Sequence, residues 1–173
     1  LAEETMRRLD FIVLALIAAV LCAPAVIGVC AAQDKDKVAI CSNNLKQLWT
    51  MQANYMAQFG GRAKQMPSDT GEAFWLTLTK TQPALIDKEL FDIFQCPVQG
   101  KDDGWGSCDY RGPSADVNSM GDGDPVGADI DGNHGAGKGG NVLRKSGDVR
   151  NYAATDAIWI AASTKTVANG AKP

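Results

Sequence analysis

Residues 11 to 32 read FIVLALIAAVLCAPAVIGVCAA, an apolar run without one charged side chain. A run of this length can cross a bilayer as a helix, so the remainder of the chain must fold as an appendage to an anchor. Arg7 and Arg8 precede it. Lys/Arg flanks stay on the cytoplasmic side, which places the amino terminus inside and the rest of the chain outside. A second reading starts at Met6, from which the charged start and apolar stretch have the form of a secretory signal. Retention of the segment is the expectation carried forward.

After the charged step QDKDK, Val38, Cys41, Leu45, Leu48, Gln52, Tyr55 and Phe59 fall alternately three and four residues apart. That is one stripe of an amphipathic helix, with a single polar lapse at Gln52. The pattern predicts one long helix from about Ala2 to Phe59, closed by Gly60-Gly61. Two helices joined at QDKDK are the alternative. Pro24 lies within the apolar half, where it removes a backbone hydrogen bond and permits local melting.

Further on, TGEAFWLTLTK (70–80) predicts a short helix with Thr70 as its cap, and IDKELFDIFQ (86–95) another. Gly, Asp and Pro dominate from Cys96 onward. Residues 141–152, two short arms around Ser146-Gly147, predict a β-hairpin at the centre of a small sheet, with Val142, Leu143, Val149 and Tyr152 as its apolar contacts. Thr155 to Ser163 leaves helix and strand both open. Gly139 and Gly140 are expected to adopt backbone angles closed to other residues. The segments divide as 1–33, hydrophobic helix; 34–61, its amphipathic half; and 62–173, a globular α+β head with long loops.

Gly132 to Lys138 spells most of a phosphate loop, but Gly139 stands where the magnesium-binding Ser or Thr belongs. The stretch Ala128-Asp-Ile-Asp131 makes a poor buried strand, and the segment after the glycines is a hairpin, not a helix. Nucleotide binding is excluded on these grounds. A net charge of −3 argues against nucleic acid as a partner.

Five cysteines are present. In a head outside the cytoplasm, Cys96 and Cys108 are the pair expected to form a disulfide, the alternative being two free thiols. Cys22, Cys30 and Cys41 read as small packing residues. Asp122, Asp124, Asp129 and Asp131 cluster among glycines; such a loop can bind Ca2+ or serve as an acidic solvated turn. His134 is the sole histidine. Sequence spacing gives it no zinc site with these cysteines. No serine beside it has a nucleophile motif, so the chain does not read as an enzyme. A bond from His134 to a loop carbonyl is the expectation.

The order Asn133, His134, Gly139, Gly140, Asn141, Val142, Leu143, Gly147, Val149 resembles the carboxy-terminal signature of type IV pilin-like and type II secretion pseudopilin-like proteins. CSNNLKQLWTMQANYMAQFGG (41–61), Cys96-Pro97 and the strand-like CDYRGP are similar to segments of the same family. The glycine stretch is two residues longer than in that family, and Ser146 replaces its usual Asp. The resemblance implies a long amino-terminal helix packed on a small antiparallel sheet. It implies a structural subunit of an extracellular type IV pilus-like or pseudopilus filament. Such a subunit waits in the inner membrane, is polymerised by membrane assembly machinery, and then associates with copies of itself, its head outside the cytoplasm. Small residues Ala15, Ala18, Ala19, Ala23 and Ala25 would let such helices approach closely, with Pro24 the place where the helix stretches or melts in the assembly. If Leu1 is the processed terminus, Glu3 or Glu4 takes the place of the family's glutamate, which pairs with a neighbouring subunit's terminal amine. Pseudopilins often carry calcium in a loop like that of the four aspartates. The alternatives are a minor pseudopilin and a membrane-anchored, calcium-binding protein that never polymerises.

Overall fold

The computed structural model describes residues 35–98 and 106–168. It is α+β. Two compact units divide the chain, Leu1–Asp36 and Lys37–Pro173, and the second holds nearly all the described residues. Helix α1 spans 35–59. Its predicted stripe is the face it buries: Cys41, Leu45, Leu48 and Gln52 are fully covered, while Val38, Tyr55 and Phe59 at the two ends are partly covered. The polar lapse has a partner. Gln52 Nε2 donates to the Phe74 carbonyl at 2.6 Å, tying α1 to the next helix. Gly61, at φ +64°, ends α1 in a left-handed residue that other side chains resist.

Helix α2, Glu72–Lys80, buries Phe74, Trp75, Leu76 and Leu78. Thr70 does not cap it. Gly71 occupies the N-cap at φ 60° with no side-chain cap bond, and its amide donates to the Pro113 carbonyl at 2.8 Å. The facing Gly112 is demanded by crowding, since a Cβ there would collide with the Gly71 backbone. Residues 86–95 do not form the expected helix. Only a 3-10 turn at Phe91–Phe94 appears, because Asp87 Oδ1 accepts from the amides of Glu89 and Leu90 and closes a competing local turn.

Five strands come next: β1 Tyr110–Pro113, β2 Pro125–Asp129, β3 Gly140–Arg144, β4 Val149–Tyr152 and β5 Thr166–Val167. They form one antiparallel sheet in the order β4-β3-β2-β1-β5. Helix α3, Ala157–Lys165, resolves the segment that sequence leaves open. The 141–152 hairpin forms, with Leu143 opposite Val149 and Gly147 at φ +86° in its turn. It occupies one side of the sheet rather than its centre, with β4 at the edge.

The central strand is β2, whose end reads on sequence as too polar to be buried; all five of its residues are covered. Proline is tolerated as its first residue. A bulge sets two residues of β2 against one of β3 between Pro125 and Gly127. Gly127 is required there, because a Cβ would lie 2.7 Å from the Trp75 ring. The sheet is covered on two sides. Leu143, Val126 and Tyr110 join α1 and α2 in the main core, while Val142 and Ala128 meet Trp159 and Ala162 of α3. Adjacent residues on β3 thus serve opposite faces, as strand alternation requires.

Candidate metal centre

Three segments distant in sequence converge at the main core, to which Cys41 and Cys96 belong. Cys41 comes from the second turn of α1, Cys96 from the segment after the 3-10 turn, and His134 from the loop after β2. The Cys41 and Cys96 sulfurs lie 3.1 Å apart, across 55 residues of sequence. Both are buried, at 0% and 2% exposure, and the His134 side chain is 5% exposed. One ligand atom from each residue fits within 4.8 Å of the other two.

Each member is fixed by its surroundings. The Cys96 amide donates to Asp109 Oδ2 at 2.8 Å, and the Asp109 amide donates to the Phe94 carbonyl at 2.9 Å. Asn44, one turn beyond Cys41, donates to the Gln95 carbonyl and to the Tyr110 hydroxyl, each at 3.1 Å. These bonds lock α1 against the Cys96 segment. The chain turns tightly after β2, with the Asn133 amide on the Ile130 carbonyl, so that His134 comes back onto Asp129. Asp129 is wholly buried. Its Oδ2 accepts from the Asn141 amide and meets His134 Nε2, both at 2.7 Å. His134 Nδ1 is buried and has no hydrogen-bond partner.

The electrostatics reflect these contacts. The Cys41 thiol, hydrogen-bonded to Cys96, brings Cys96 down to about 7, against burial, and the Val98 backbone helps. Cys41 is pushed well above the ordinary thiol range, first by that same bond and then by burial. Burial would lower His134, but the bond to Asp129 and its charge outweigh burial and leave the imidazole raised. Two sulfurs and an imidazole in one enclosed spot suit a soft or borderline metal ion. The two sulfurs alone could also form a disulfide.

Spacing along the sequence argues against any such cluster. Spacing does not bring these residues together, because the three come from separate elements. His134 bonds a carboxylate, not the expected loop carbonyl. Cys96 faces Cys41, not Cys108; Cys108 is a buried free thiol directed to the Tyr110 carbonyl at 3.7 Å. Cys41 is a core residue as expected and a site residue as well.

The four aspartates do not converge in threes. Asp129 belongs to His134. Asp124 pairs with Lys165 and accepts from the Gly121 amide. Asp122 and Asp131 are exposed. Gly139 has the expected positive φ, +83°, while Gly140 allows close approach, since a Cβ there would lie 3.0 Å from Asp129 and from Trp159. Asn141 donates to the Val38 carbonyl of α1 at 3.0 Å. Glu3, Glu4, Ala15, Ala18, Ala19, Ala23, Pro24 and Ala25 lie outside the described residues. Among those described, no helix is long and apolar enough to cross a membrane.

Comparison with protein-family models, curated proteins and solved structures finds no match.

Proposed function

We propose that this chain is the structural subunit of a type IV pilus-like or pseudopilus filament, assembled through residues 11–32. One observation carries the reading. The apolar run is followed almost directly by a helix, 35–59, whose apolar stripe is consumed by its own head. The amphipathic half of the pattern is therefore satisfied within the chain. In this reading the charge-free half is left for lipid or for copies of itself. In the membrane it is an anchor; in a filament, Ala15, Ala18 and Ala19 allow close helix packing. The head then lies outside the cytoplasm. The hairpin and its glycine-rich approach serve the sheet in this reading, and a nucleotide has no place in it.

Electron microscopy of sheared cell surfaces tests the proposal. Filaments are expected from the parent chain and none from Ala18→Arg, because a charge in a packed apolar helix bundle is costly. The thermal midpoint of the head should be the same in both. Filaments that persist with Arg at position 18 would sink the proposal.

A further inference from the structure

The Cys41–Cys96–His134 cluster uses no residue of the proposed assembly segment. We infer that it is a structural site for a thiophilic d10 cation, Zn2+ by preference, with both sulfurs and His134 Nδ1 as ligands. The inference does not depend on filament formation.

The imidazole supplies the argument. A Cys41–Cys96 disulfide would use both sulfurs and leave His134 Nδ1 buried without a partner. Buried polar atoms in folded proteins are rarely left so. A cation accounts for all three groups at once. Asp129 Oδ2 at 2.7 Å holds the proton on Nε2 and leaves the Nδ1 lone pair for a metal. A carboxylate behind a ligating histidine is the usual support of a zinc-bound imidazole. Asp129 is itself anchored by the Asn141 amide, so the ring's orientation is set by β2 and β3 together.

The dimensions agree. Zn–S bonds near 2.3 Å in a tetrahedron put two sulfurs roughly 3.8 Å apart. The observed 3.1 Å needs to open by less than about 1 Å, within the reach of two χ1 adjustments. Both thiol protons leave to solvent on binding, and two thiolates balance the dication. Three protein ligands and one water complete the coordination. Three ligands and a water is the count of an open site, but both sulfurs are buried and the ligands come from three separate segments, so the role inferred for the ion is to tie those segments together. The ion would pin α1, the Cys96 segment and the β2 loop to one point.

The test uses the full chain in detergent, reduced and free of chelator. Metal analysis of the purified protein is expected to give about one Zn2+ per chain. Co2+ added to the stripped protein should produce a thiolate-to-cobalt charge-transfer band. That band should vanish in Cys96→Ser, weaken in His134→Ala, and survive in Cys108→Ser. The thermal midpoint should rise with added Zn2+. Should the variants fail to fold, the cobalt titration of the parent chain still decides. A folded, reduced chain that binds Co2+ without the band overturns the site. So does a linked Cys41–Cys96 peptide in a non-reduced digest of the native protein. Zn2+ retained by the folded Cys41→Ser, Cys96→Ser double variant does the same. Filaments are scored separately by microscopy, so the two proposals can fail independently.

Discussion

A single buried amide shows what one residue contributes here. Gln52 is fully covered, and its Nε2 reaches the Phe74 carbonyl of α2. On the sequence it reads as a flaw in an apolar stripe, because periodicity records only which residues share a face. Its use depends on a carbonyl supplied by another helix, and no local pattern announces that. Gln52→Ala should destabilise the head by about 1–3 kcal/mol, the range for losing a buried hydrogen bond and stranding its partner. Urea unfolding followed by circular dichroism measures it, and an unchanged midpoint would mean that the bond contributes nothing. The same blindness hides the site. His134 and Cys41 are visible as residue types, but the sum of Cys41, Cys96, His134 and Asp129 exists only once three segments are folded together.

Among the elements, the legible ones are those with strong local patterns. The α1 stripe and the Ser-Gly hairpin come from period and turn chemistry. Strand β2 is illegible because Pro125, Gly127 and Asp129 each oppose strand formation alone. Each is excused by a tertiary circumstance: a strand start, a tryptophan needing room, and a histidine with a backbone amide. The hairpin's weight can be tested at Leu143, fully buried in the main core. Leu143→Ala should cost about 2–5 kcal/mol, since the sheet around it cannot collapse into the void. A loss under about 1 kcal/mol in chemical denaturation would show that the site relaxes freely. The lead-in to β2 is tied to the end of α3 by Asp124 and Lys165. The Lys165 hydrogen bond, with the Gly121 amide, holds the Asp124 carboxyl below its usual range. A depressed folded value means a contribution present above the ordinary carboxylate pKa of about 3.9 and lost as pH falls through the folded value. Asp124→Asn should therefore lower the thermal midpoint slightly at neutral pH. The gap from the parent should close in acid, and a gap that widens as pH falls would contradict the assignment.

At the scale of the whole molecule, α1 belongs to the core rather than being a stalk beside it. The compact unit begins at Lys37, so helix and sheet share one interior. Cys41, Leu45 and Leu48 are fully buried, with Trp49, Met51 and Tyr55 packed partly against the same cluster. Burying a leucine stabilises by about 1.5–3 kcal/mol, so Leu45 and Leu48 alone contribute about 3–6 kcal/mol. Whole domains are stable by only about 5–15 kcal/mol. Removing α1 would also open the cluster that holds Leu143 and Val149 and leave Asn141 without the Val38 carbonyl. A chain of residues 62–173 should therefore fail to unfold cooperatively, whereas residues 35–173 should show one sharp transition with Zn2+ present. Differential scanning calorimetry distinguishes the two. A cooperative endotherm from residues 62–173 would make α1 a dispensable stalk. If only the longer chain melts cooperatively, assembly and folding have separate addresses in this protein. On the proposed reading, a charge at position 18 then abolishes filaments and leaves the thermal midpoint of the head unchanged, because α1 draws its own burial from the core it shares with the sheet.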